Sequence, residues 1–283
     1  FTGTSVFAST FGAAKTNNSL AKPSLTPNGE FYALLVGVER FSDMNLSMYA
    51  HLIDESVVAM YNKLNSSSNW KTENIKILLN ENATKENIHD TIVNWLDNKE
   101  NKDDVVLFYF TGSGWSVPAL KRLKGHAYIV TYNNSDWHYS ENQITDKELD
   151  SWLDELESKH VIVILDSCHS GKMVDLKQRG RVVLTAGGKH VFCGVDEDDS
   201  LGCGIFTYFL LQGMNGVADL NNDGWVSAEE VFYYAKKPTI HFSIWKQFPF
   251  IMKYNGHFIF WFFQTPHMYD NHFGEIPLIQ LPC

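Results

Sequence analysis

Cysteine is scarce: Cys168, Cys193, Cys203 and Cys283 are the four in 283 residues, with neither the paired spacing of a zinc site nor the density of a disulfide scaffold. Disulfides are permitted but not implied. No apolar run approaches the ~20 residues of a membrane span, and the longest aromatic burst, Phe258 to Phe263, is far shorter. Positive charge is also short. The 23 Lys and Arg against 33 Asp and Glu give a formal net charge of −10, which argues against a general affinity for nucleic acid or anionic membrane. The same balance suits cationic peptides or calcium.

What is present is ordinary globular material, 44% hydrophobic and 20% charged, enough for one large α/β domain or two small ones. Phe1 to Ala14 is small and mildly apolar without an initiating Met, and reads either as the tail of a signal peptide or as a disordered leader. Export and a cytoplasmic location therefore both stay open. Lys15 to Gly29, rich in Asn, Ser, Thr and Pro, reads as a linker, so residues 1–29 are set apart and 30–283 form the folded unit.

Buried strands are expected at Phe31 to Val38, Ile75 to Leu79, Val105 to Phe110, Val161 to Leu165 and Arg181 to Ala186. Helices alternate with them. Leu52, Ile53, Val57, Met60, Tyr61 and Leu64 recur at helical spacing. Thr84 caps a second helix with a stripe of Ile88, Ile92, Trp95 and Leu96, and Thr145 with Glu148 forms a capping box ahead of Leu149, Trp152, Leu153 and Leu156. Trp115 to Ser140 reads as irregular around one short apolar segment at Ala127 to Val130, and Lys172 to Gly180 as a polar, basic loop. Strands and helices in alternation predict a mainly parallel sheet sandwiched between helices, because parallel neighbours need crossover connections.

The chemistry gathers at one stretch. Val161-Ile162-Val163-Ile164-Leu165 runs into Asp166-Ser167-Cys168-His169-Ser170-Gly171, placing a cysteine at the carboxyl end of a buried strand, where active sites of such sheets collect. This wording resembles the nucleophile turn of the caspase-like cysteine peptidases, in particular the metacaspase branch. A weaker likeness to legumain and clostripain relatives is outweighed by the Asp-Ser-Cys-His-Ser-Gly wording.

The resemblance implies a caspase-like three-layer α/β/α sandwich with a mainly parallel, roughly six-stranded sheet, and hydrolysis of peptide bonds after Arg or Lys. The family carries a His-Gly pair at the end of an earlier strand. Here the matching stretch is Phe110-Thr111-Gly112-Ser113-Gly114, so Ser113 stands where the family has its catalytic histidine. A serine hydroxyl neither lowers a thiol pKa nor protonates a leaving amine at neutral pH. Two functions follow: an endopeptidase acting through Cys168 with impaired activity, or a pseudopeptidase that binds basic peptides or partner chains.

His169 belongs to the turn, and His126 is the outside candidate for a substitute base. The resemblance also implies an oxyanion hole at the amides of Gly114 and Cys168, and a pocket for a basic side chain lined by Asp166. Asp54 matches a second pocket acid and equally reads as a solvated helix charge. Self-processing is expected after Lys177 or Arg179.

A second motif runs from Asp219 to Glu230. Asp219, Asn221, Asp223 and Ser227 supply oxygens at positions 1, 3, 5 and 9, Trp225 a carbonyl at 7, Gly224 the turn at 6 and Glu230 the bidentate ligand at 12 of an EF-hand-like Ca2+ loop. The ion would regulate or simply staple the structure. Asp196 to Asp199 adds to a subsite for a cationic side chain, forms another weak calcium site, or is a solvated acidic loop. Lys237 to Phe263 dissolves into aromatics, and 264–279 resembles the closing strand region of bacterial and archaeal relatives.

Overall fold

A computed structural model describes residues 29–42, 52–117, 125–134, 141–188, 197–198, 201–253 and 264–282, without the side chains of 197–198 and 246–253. Most of the leader, Cys193, Cys283, the basic cluster at 121–124 and the aromatic run 258–263 lie outside the described residues.

In chain order the elements are β1 (Phe31–Val38), α1 (Ile53–Asn65), β2 (Ile75–Leu79), α2 (Lys85–Asp90), β3 (Val105–Gly112), β4 (Gly114–Ser116), β5 (Ala127–Ile129), β6 (Ile144–Thr145) and α3 (Asp146–Leu153). They continue as β7 (His160–Ser167), β8 (Arg181–Thr185), β9 (Glu197–Asp198), β10 (Cys203–Gly204), α4 (Ile205–Gln212), β11 (Trp225–Ser227), α5 (Ala228–Lys253), β12 (His267–Asp270) and β13 (Pro277–Gln280).

Six strands make the central sheet in the order β12-β8-β7-β3-β1-β2. All pairs are parallel except β12 with β8. The apolar runs β1, β3 and β7 are central, so both of their faces must be covered. Alternate residues divide accordingly. Ala33, Leu35, Leu107, Tyr109, Ile162 and Ile164 pack on α1, α4 and α5, while Leu34, Val36, Val106, Phe108, Val161 and Val163 pack on α2 and α3. Each fully buried aliphatic of this set contributes roughly 1.5–3 kcal/mol. The result is the expected caspase-like three-layer sandwich.

Local signals place the helices. Thr84 accepts from the Asn87 amide, and the Thr145–Glu148 capping box is formed in both directions. Two expectations need correction. The stretch after Ser113 is not simply irregular, since β4, β5 and β6 form a small antiparallel sheet. Strands of two or three residues are too short to show a period. The Lys172–Gly180 loop is also not wholly solvated, because Met173 and Leu176 turn into the core.

Candidate active site

β3 and β7 lie side by side with Thr111 opposite Asp166 and Gly112 opposite Ser167. Ser113 and Cys168 are each the next residue, so hydroxyl and thiol leave neighbouring strand ends at the same rim. Two glycines permit this. Gly112 has φ +149°, and a Cβ on Gly114 would overlap the Cys168 carbonyl oxygen and come within 3.0 Å of Ser167 Oγ. The Cys168 turn is fastened by Ser170, whose hydroxyl donates to the Ser167 carbonyl at 2.8 Å and accepts from the Gly187 amide at 3.1 Å.

Cys168 is partly exposed and reduced. Burial, followed by the nearby Asp166 charge, pushes its thiol up to about 12. The remaining exposure moderates that shift, but its direction is opposite to what a cysteine nucleophile needs. His169, in the left-handed region at φ 54°, packs its ring 5.3 Å from that of Trp115. Burial, with Lys172 adding, lowers its pKa to about 4, which leaves it uncharged at neutral pH.

Asp166 is buried at 1% exposure. Its Oδ2 accepts the Thr207 amide at 3.1 Å and the Thr207 hydroxyl at 2.6 Å. Thr207 lies in the first turn of α4, whose N-cap, Gly204, has no capping side chain, so Asp166 caps this helix from the neighbouring strand. Oδ1 has no hydrogen-bond partner among the described residues. Burial raises this carboxyl, opposed among the described residues by Thr207, and none of those residues places a cation on it. A Cβ on Gly204 would lie 2.9 Å from Asp166 Oδ2, and the Gly204 amide donates to Ser56 of α1 at 2.9 Å. The walls around Asp166 thus come from β7, α4 and α1.

Asp54 has other company. Its carboxylate accepts the Asn80 amide group at 2.9 and 2.8 Å, while Glu39 accepts the amides of Ile53 and Asp54 and so caps α1. This network ties the end of β1 to α1. His126 is likewise engaged, its Nδ1 lying 3.2 Å from Asp146 Oδ2 and 3.5 Å from Asp175 Oδ2. The ligand atoms of His126, Asp146 and Asp175 fall within 4.8 Å of one another, a group able to hold a metal ion. Sequence reasoning missed Asp146 and Asp175. The first is an ordinary first-turn helix acid by position, and no fixed spacing links the three.

Thr207, Tyr109 and Ser56 were missed for a similar reason, as residues far apart in the chain. The expected processing sites differ in exposure. Arg179 is exposed, whereas Lys177 lies 3.5 Å above the Tyr269 ring, and its carbonyl accepts from Asn271 at 2.7 Å.

The loop 219–230 sits between α4 and α5. Asn222 and Gly224 take positive φ of 59° and 85°, and Asp219 Oδ2 accepts the Gly224 amide at 3.2 Å. Glu230 reaches back across the loop, accepting from the Leu220 amide at 2.9 Å and the Ser227 amide at 3.1 Å. Asp219, Asn221, Asp223, Ser227 and Glu230, with the Trp225 carbonyl, are the oxygen donors a calcium ion requires, so the donor set fits. β11 pairs antiparallel with β13.

This sheet, with a cysteine at the rim of a central parallel strand, defines a caspase-like α/β sandwich. The family model described as Metacaspase, peptidase C14 domain, matches residues 33–177, and the chain belongs to that family, a cysteine-type peptidase family acting on proteins or peptides. The fold is similar to the crystal structure of protein GSU0716 from Geobacter sulfurreducens, with a TM-score of 0.59, 15% identity, and coverage of 89% of this chain and 100% of that one. No curated protein matches the sequence. No helix among the described residues is long and apolar enough to cross a membrane.

Proposed function

We propose that this chain binds peptide or protein segments by taking a basic side chain, Arg or Lys, against Asp166, and that hydrolysis through Cys168 is strongly impaired. The state of Asp166 carries the reading. Among the described residues it is a buried carboxyl with one oxygen committed to α4, no hydrogen bond to the other oxygen, and no cation beside it. Leaving such a group uncompensated is costly, and a guanidinium or ammonium offsets that cost through charge-assisted hydrogen bonds.

Impairment is supported by the thiol. Burial pushes its pKa upward, away from neutrality, so little of it is thiolate at pH 7. Ser113 supplies neither a base nor a proton for the leaving amine. The second reading, slow hydrolysis after Arg or Lys, is favoured by the close approach of Gly114 to Cys168, the two residues whose backbone amides would form the oxyanion hole.

Calcium is part of the proposal, bound in the loop 219–230 as a structural staple. It supplies there the positive charge that Asp219, Asp223 and Glu230 lack.

The test is an arginine-ended peptide carrying a thiol-reactive group, set beside its citrulline analogue. Reversible binding that prefers arginine, with Cys168 unlabelled at pH 7, is the expected result. Rapid labelling of Cys168 replaces this reading with the peptidase one, and no preference for arginine removes both.

A further inference from the structure

We infer that Thr207 and Tyr109 are positioning residues that fix specificity for a basic ligand, by favouring the charged form of the Asp166 carboxyl and turning it so that one oxygen stays open. The inference depends on the reading of Asp166 as the acid that receives the basic side chain.

The hydroxyl order is set by proton count. Thr207 has a single hydroxyl proton, and a carboxylate can only accept, so the 2.6 Å contact has Thr207 Oγ1 donating to Asp166 Oδ2. The 2.8 Å contact between Tyr109 OH and Thr207 Oγ1 then has Tyr109 donating. The chain runs Tyr109 to Thr207 to Asp166, and hydrogen bonds aligned in this way polarise one another. The Thr207 amide at 3.1 Å adds a second donor to the same oxygen at the positive end of α4. Tyr109 and Thr207 are both fully buried, so water does not compete for these bonds.

The arrangement does two things. Oδ2 is anchored from two directions, which locks the carboxylate plane and leaves Oδ1 as the acceptor for a ligand. Every donor also favours the charged form against the desolvation that opposes it. Among the described residues, the titratable groups that feel Asp166 are Cys168 at the end of the same strand, Cys203 just before α4, and Tyr109 on β3, and none of them is a cation.

Thr207→Val removes the hydroxyl but keeps the shape and the amide. Losing a hydrogen bond to a charged group is expected to weaken the arginine-over-citrulline preference roughly tenfold at neutral pH. The pH at which that preference appears should move upward, because fewer donors then hold the charged form. Thr207→Ser should restore both, and Tyr109→Phe should produce a smaller change in the same direction.

Carbon-13 NMR of the aspartate carboxyls reads the Asp166 midpoint without any ligand, and an upward move in Thr207→Val is expected. If Thr207→Val fails to fold, Tyr109→Phe carries the same two readouts. An unchanged midpoint and unchanged preference in the folded variants overturn the inference alone. A wild-type chain with no arginine preference, but with the expected NMR shift, overturns the binding reading while the role of Thr207 in holding the charge stands.

Discussion

His160 and His272 meet through a 2.9 Å contact between Nδ1 of the first and Nε2 of the second, and His272 Nδ1 lies 2.8 Å from the Gly274 carbonyl oxygen. A carbonyl only accepts, so His272 carries its proton on Nδ1, and His160 donates to its Nε2. Protonating His272 at Nε2 turns that nitrogen into a donor, so the contact survives only if His160 moves its own proton to Nε2. Burial, with the His272 charge adding, lowers the His160 pKa, and His169 is lowered to about 4. The unfolded chain therefore binds protons that the folded one refuses, and stability falls as pH drops from about 6.5 towards about 4. Denaturant midpoints across that range should record a loss on the order of 2 kcal/mol, with His272→Asn flattening part of the slope.

Glu229 titrates in the other direction. Its Oε2 accepts the Ile276 amide at 3.0 Å, while Oε1 is buried without a hydrogen-bond partner. Burial pushes its carboxyl up to about 8, with Asp270 and Glu275 adding. The folded state keeps a proton that the unfolded state releases, so this group removes stability as pH rises from about 4.5 to about 8. Glu229→Gln is expected to raise the melting temperature at pH 8 and to leave it nearly unchanged at pH 5. The gain at pH 8 should be on the order of 2 kcal/mol.

Ser113→His restores an imidazole at a strand end adjacent to Cys168. Cleavage of arginine-ended peptide amides should rise by about 10²–10⁴-fold and vanish in the Ser113→His, Cys168→Ala double variant. Self-cleavage in the single variant is expected after Arg179 before Lys177, because Arg179 is exposed and the Lys177 carbonyl is tied to Asn271. Mass spectrometry of the fragments decides the order.

Calcium should raise the wild-type melting temperature, by the equivalent of about 2.7 kcal/mol at a hundredfold excess over the dissociation constant, and a chelator should reverse it. Asp223→Ala, at an exposed loop position, is expected to abolish the calcium response with little change in the metal-free baseline. A full response in Asp223→Ala would move attention to His126, Asp146 and Asp175.

The parts legible in the sequence were those written locally. The runs of β1, β3 and β7 are apolar over five or more residues, and that of β8 over three, because each is covered on both faces, and the Thr145–Glu148 cap is a four-residue signal. The antiparallel edge strand β12 was placed only loosely, and β4 and β6 not at all, since a strand of two to four residues shows no period. α5 continues through Pro238 to Lys253 although its sequence offers no clean apolar stripe, with Tyr233, Ile244 and Trp245 exposed along it. At the site, the Cys168 turn could be read from its own wording. The contact between Asp166 and Thr207 spans 41 residues and exists only once α4 is packed beside β7. Asp54 shows the same limit, because nothing local announces Asn80 as its partner.

One hydrogen-bonding edge of β11 is occupied by β13, whose Leu278 carbonyl also receives the Trp70 indole N–H at 2.8 Å. A strand edge filled from within its own chain offers no template to a neighbour. Among the described residues the twelve-residue loop pairs with β13 and not with a second loop of its kind, so an ion entering it is expected to follow a simple one-site isotherm with a Hill coefficient of about one.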